Sequence, residues 1–264
     1  MILRRMTRGR STSGADMPTP VRRNFIGGEW VSPRIGFAAP RAPTSHVTPV
    51  EHTADMLDLI LPLECGGCGA PSTRWCPACA SALTVRADEP HLIAPRTDPG
   101  VPVFALGRYA GARRRAIVAA KEQGRSDLLA PLAAALRAGL DRLLAWGVVD
   151  APLTVVPAPT RRLAARRRGG DPVTAMAVAA CAGRPGVQTV PALRLRPWVR
   201  DSVGLSGTAR QRNIAGRVRV VTGVTGEVLL VDDIVTTGAT AAESVRVLHG
   251  AGANVAGVLV VAHA

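Results

Sequence analysis

Residues 228–240 read V-L-L-V-D-D-I-V-T-T-G-A-T: four apolar residues end at two aspartates, and a threonine- and glycine-rich loop then opens a helix. A short, continuous apolar run bounded by turn signals is the pattern of a strand covered on both faces, and such strands belong to parallel sheets flanked by helices. The run therefore directs the chain toward an α/β fold, with its loop at the carboxyl edge of the sheet, where proteins of this class bind ligands. A composition that is 47% hydrophobic but only 3% aromatic fits alternating strands and helices better than an antiparallel sandwich.

The rest of the pattern predicts a βαβ succession. Strands are expected over residues 101–106, 153–156, 188–193, 227–231 and 255–262. Helices are expected over 112–120, 127–145, 163–182 with an interruption at R-R-R-G-G-D-P, and 239–249, the last ended by Gly250. Residues 196–213, polar and arginine-rich, read as a mobile loop followed by a helical turn. A chain of 264 residues holds one large domain and a small module. The division expected is 1–55, a disordered extension or residues upstream of a true start at Met56; 56–90, a small cysteine module; and 91–264, the α/β domain.

The loop at 236–240 carries the chemistry. Its backbone N–H groups, its threonine hydroxyls and the positive end of the helix behind it form an anion cradle, and Gly238 permits close approach. Asp232 and Asp233 would repel that anion, but they are suited to accept hydrogen bonds from two vicinal hydroxyls. A sugar diol a few bonds from a phosphate satisfies both halves, so the segment reads as a site for ribose 5′-phosphate. Neither G-x-x-x-x-G-K-[ST] nor G-x-G-x-x-G is present. Paired aspartates also end strands in metal-binding phosphoacceptor domains, which do not call for the T-T-G-x-T that follows; an ordinary strand with a threonine-capped helix is the plainer alternative.

Cys65-x-x-Cys68 and Cys76-x-x-Cys79 place two thiolate pairs on short glycine-rich turns, which suits tetrahedral Zn²⁺ in a closed, structural site. Two disulfides or a redox C-x-x-C are the alternatives. Cys181, in an alanine-rich helix, reads as a small buried hydrophobe.

Formal net charge is +14, and it is regional: residues 161–219 hold thirteen arginines against Asp171 and Asp201. Such a segment invites a polyanion, and the electrostatic partner expected is single-stranded nucleic acid bound through its phosphates between Arg161 and Arg219, with Trp198 the one aromatic there for stacking. Lys121 is the only lysine in the chain, a hint that an ammonium is wanted at that point, or chance. No apolar stretch is long enough to span a bilayer, and the basic N-terminus has no apolar segment behind it, so a cytoplasmic address and reduced cysteines are expected.

The run at 228–240 resembles the phosphoribosyl diphosphate (PRPP) signature of type I phosphoribosyltransferases. That likeness implies that Asp232 and Asp233 hold the ribose 2′- and 3′-hydroxyls, that Thr236, Thr237, Gly238, Ala239 and Thr240 hold the 5′-phosphate, and that Mg²⁺ arrives with the diphosphate. Purine-salvage members carry an aspartate as general base where this chain has Thr236, which argues against a hypoxanthine or guanine enzyme. The order of parts over residues 56–264, a four-cysteine module, V-P-A-P-T-R-R, an R-R-R-G-G-D block and V-G-L-S-G-T-A-R-Q-R-N, resembles the competence protein F (ComF) family, although R-R-R-G-G-D-P departs from the family's R-G-F-N-Q form. The resemblance implies a type I phosphoribosyltransferase fold, a role in DNA uptake during natural transformation, and a partner in the DNA-import machinery. It places the diphosphate on residues 157–161, with Arg161 and Arg162 as countercharge unless they merely open a solvated basic helix, and puts residues 196–213 where relatives have a mobile lid. Lys121 and Arg161 are the catalytic candidates. Two classes stay open: a transferase with an unidentified acceptor, or a binding module that senses PRPP or a nucleoside 5′-phosphate.

Overall fold

The computed structural model describes residues 63–160, 170–196 and 216–264, together with two dipeptide strands, β1 (Phe25–Ile26) and β2 (Glu29–Trp30). The chain divides into two compact units, Met1–Val50 and Glu51–Ala264. In the first, β1 and β2 pair antiparallel. Beyond that pair, the disordered extension expected over residues 1–55 lies outside the described residues.

The second unit is α/β. Helix α1 (Pro77–Leu83) lies in the cysteine module and is followed by strands β3 (His91–Ile93) and β4 (Val103–Ala105). Helix α2 (Gly111–Glu122), a 3₁₀ turn (Ser126–Leu128) and helix α3 (Leu129–Ala145) come next, then β5 (Leu153–Pro157), α4 (Pro172–Cys181), β6 (Val187–Thr189), β7 (Leu193–Leu195) and β8 (Val218–Val220). Strand β9 (Glu227–Val235), helix α5 (Ala239–Gly250) and strand β10 (Asn254–His263) complete it. Six strands form one sheet in the order β3-β4-β10-β9-β5-β6, parallel except for the β3–β4 pair.

The apolar alternation along the central strands divides the core into two layers. Leu229, Val231, Leu259 and Val261 pack with Ile117 of α2, Leu136 and Leu140 of α3 and Met176 of α4. On the other side Val228, Leu230, Val258 and Val260 pack with Val245 and Leu248 of α5 and with the β7–β8 ribbon through Leu193 and Val218. Helix α4 starts where sequence chemistry says it should: Asp171 accepts from the Val173 N–H at 3.1 Å, and Pro172 occupies the first turn.

Three expectations change. The strand expected over 188–193 is two strands in different sheets, because after the Val190 N–H bonds the Val155 carbonyl the chain leaves the ladder at Pro191-Ala192, before β7 turns to pair with β8. Strand β9 does not stop at Val231; its ladder with β10 continues through Asp232 to Val235. The helix expected from residue 163 begins at Pro172 as far as the described residues go, since 161–169 lie outside them. No helix among the described residues is long and apolar enough to cross a membrane.

Candidate functional site

Strands β4, β5, β9 and β10 run in one direction, so their carboxyl ends open onto the same edge of the sheet. Strand β5 ends at Pro157, paired with Val231, and the Ala158 N–H adds one more bond, 2.8 Å, to the Val231 carbonyl. Among the described residues, β9 from Asp232 onward pairs with β10 alone. Among the described residues the two aspartates therefore stand in a strand paired on its β10 side, beyond the point where β5 has stopped.

The Asp233 side chain is buried. Its Oδ2 lies 2.6 Å from Lys121 Nζ, and its Oδ1 is shielded from solvent with no hydrogen-bond partner among the described residues. A buried carboxylate oxygen left unpartnered costs free energy, and such atoms in native structures mark a missing donor. Asp232 Oδ1 accepts from the Asp233 N–H at 2.8 Å. Burial and the adjacent Asp233 charge push the Asp232 carboxyl well above the usual carboxylate range. Lys121, in the last turn of α2, feels the opposite balance: burial works against its ammonium, but Asp233, and behind it Asp232, outweigh that and raise its pKa.

Thr236, Thr237 and Gly238 link β9 to α5. Gly238 has φ +86°, and a Cβ there would sit 2.4 Å from the Thr97 carbonyl oxygen, so glycine is required twice, by backbone conformation and by close approach. No side chain caps the start of α5, which leaves first-turn N–H groups facing the loop; the Ala239 N–H reaches Thr237 Oγ1 at 3.4 Å. Sequence reasoning missed the partner of this loop. The Thr97 N–H donates to the Thr237 carbonyl at 2.8 Å, and Pro95 packs against Gly238, placing exposed Arg96 in the segment that borders the 236–238 loop. No local spacing signals that contact, because it is made between distant segments.

Of the catalytic candidates, Lys121 meets the acidic pair, whereas Arg161, with Arg162, lies outside the described residues, as does most of the proposed lid. The described part of the basic segment includes the β7–β8 ribbon, where exposed Arg194 and Arg219 stand directly opposite each other and Arg196 follows. Like charges paired across a ribbon repel, so this surface is held by its buried face, Leu193 and Val218, rather than by its exposed one.

The sulfurs of Cys65, Cys68, Cys76 and Cys79 all lie within 4.8 Å of one another, and none is in a disulfide. A tetrahedron with metal–sulfur bonds of about 2.3 Å has edges of roughly 3.8 Å, and Cys68 and Cys76 are 3.6 Å apart. The four are close enough to hold a metal. Backbone N–H groups already turn toward the sulfurs: Gly67 and Cys76 donate to Cys65 Sγ at 3.4 and 3.3 Å, and Cys79 donates to Cys76 Sγ at 3.4 Å. Burial opposes ionisation of Cys65, but these donors draw its thiol down to about 6, while burial pushes Cys79 up. Among the described residues no other group of three or more metal-ligating side chains occurs. Cys181 is buried, in line with a small hydrophobe in the core.

The module is seated on the domain by shape and by arginine. A Cβ at Gly66 would meet Leu128 Cδ1 at 2.4 Å; Arg115 of α2 donates to the Gly67 carbonyl, and Arg125 to the Arg74 carbonyl at 3.3 Å. In comparisons with known proteins, no family model matches the chain and no curated protein matches it.

Proposed function

We propose that the chain is a ComF-type, phosphoribosyltransferase-like protein that holds PRPP, or a nucleoside 5′-phosphate, at the β9–α5 edge of its sheet. The observation that carries this reading is the union, in one short segment, of Asp233 Oδ1, buried and unpartnered, with a glycine-pinched loop and an uncapped helix start. The carboxylates suit a diol and the loop suits a phosphate. In the same proposal Zn²⁺ is held by the four cysteines as a structural ion, Mg²⁺ accompanies the diphosphate, and residues 161–219 engage single-stranded DNA in the cytoplasm alongside DNA-import partners.

If transfer takes place, the bond from ribose C1 to diphosphate oxygen breaks, an acceptor atom bonds C1, diphosphate departs as the anion, and the acceptor's proton goes to solvent or a base. Thr236 offers no carboxylate for that last step, which favours an acceptor that needs no base there, or a binding role without turnover. Calorimetry with PRPP and Mg²⁺ tests the site. Wild type should bind, and Asp232→Asn combined with Asp233→Asn should lose binding; unchanged binding by the double variant would remove the assignment. Diphosphate release that requires an added base or single-stranded DNA would identify a transferase, and tight binding without release a sensor.

A further inference from the structure

We propose that Lys121 is the positioning residue of the sugar site: its ammonium fixes Asp233 as acceptor for one ribose hydroxyl and supplies the positive charge that lets two adjacent carboxylates receive a phosphorylated sugar without a divalent cation. This rests on the sugar-phosphate reading of β9–α5 given above.

The geometry supports it. Lys121 Nζ takes one oxygen of Asp233 at 2.6 Å and leaves the other buried and, among the described residues, unpartnered. An ammonium is a compact point charge that can engage a single oxygen, whereas a guanidinium forks across both. In a chain with 33 basic residues, the position facing the acidic pair is the only lysine. The surroundings leave that ammonium few alternatives. Facing it from β9 are Asp233 and Asp232, and from the loop before α2, Tyr109. Among the described residues, helices α3 and α4 present the apolar Leu129, Leu132, Pro172 and Met176. Without the ammonium the paired carboxylates would repel each other and the incoming phosphate in a poorly solvated site. With it, Asp233 is held oriented, and its Oδ1, without a partner among the described residues, waits for a hydroxyl.

The test uses the whole protein and ribose 5-phosphate with no divalent cation added, by calorimetry between about pH 6 and pH 9. Lys121→Met should weaken binding by about 10- to 100-fold near neutral pH. The loss should shrink as pH rises, because without the lysine the charge that counters the burial of Asp232 is gone and that carboxyl ionises only at higher pH. Lys121→Arg should restore the wild-type pH profile but not the full affinity, since the fork occupies Asp233 Oδ1. Wild type labelled with ¹⁵N-lysine provides a readout free of folding effects: its single side-chain signal should shift on saturation with ribose 5-phosphate and not with inorganic phosphate. An unmoved signal, a Met variant that binds as wild type does, or Met and Arg variants equally weak with the wild-type pH profile would each overturn the role of Lys121. If wild type binds neither ribose 5-phosphate nor PRPP, the sugar-phosphate reading falls as well; if it binds and the lysine changes nothing, only the present inference falls.

Discussion

Asp233 gives one oxygen to Lys121, while Asp232 next to it is held where its charged form is disfavoured by burial and by Asp233. The two should therefore act oppositely on stability. A carboxyl whose folded pKa is raised contributes stability that is fully present below its ordinary value of 3.8 and is lost as pH rises through the folded value. At neutral pH Asp232 is thus a cost to the fold. Asp232→Asn is expected to raise the midpoint of thermal unfolding at neutral pH, with the gain vanishing toward acid pH. Asp233→Asn strands the Lys121 ammonium and should lower stability by about 1–2 kcal/mol, discounted because the lysine is partly solvated. Thermal scans of both single variants across pH check the signs. The acidic pair, the glycine-pinched loop before α5 and the four cysteines were legible in the sequence because each is a contiguous run whose chemistry is set by near neighbours. The Lys121–Asp233 bond and the seat of Gly238 on Thr97 were not, since each joins segments brought together only by the folded sheet and its helices.

Helix α2 has two duties: Arg115 near its middle grips the Gly67 carbonyl in the cysteine module, and Lys121 in its last turn grips Asp233. If the four cysteines hold zinc, metal analysis should return near one zinc per chain, and Cys65→Ser should bring this close to zero. Because Gly66 packs on Leu128 and the Gly67 carbonyl accepts from Arg115, loss of metal should also lower the unfolding midpoint and, if the sugar-phosphate reading holds, weaken ribose 5-phosphate binding several-fold, by loosening the helix that carries the lysine. An unfolding midpoint unmoved by chelation would separate the two elements. Periodicity found α3, whose leucines recur at three- and four-residue spacing, and helices were also expected where α2 and α5 lie. It missed β3 and β8, three residues each, which carry too few alternations to stand out and owe their existence to the strands beside them.

At the scale of the molecule, the excess positive charge gathers in one stretch of chain, of which Arg194, Arg196 and Arg219 are exposed on or beside a two-stranded ribbon. For single-stranded DNA neutralised at three phosphates, a rise from about 50 to about 200 mM salt should weaken binding roughly 20-fold, and more if further arginines take part. Electrophoretic or fluorescence titrations at the two salt concentrations measure this, and a flat response would exclude phosphate-driven binding. Replacing Arg194 and Arg219 together by glutamine should flatten the slope while leaving PRPP binding unchanged.

The order β3-β4-β10-β9-β5-β6 also bears on how the protein is made. A ribosome delivers β4 and β5 well before the two strands that must lie between them, so the nascent chain carries two halves of a sheet that cannot touch until residues 227–263 emerge. Strand β9, which carries Asp232 and Asp233, is inserted next to last, and β10, which joins it to β4, comes after it. Closure is long-range and correspondingly slow, and a chain cut short before β10 would present bare apolar strand edges to every other such chain in the cell.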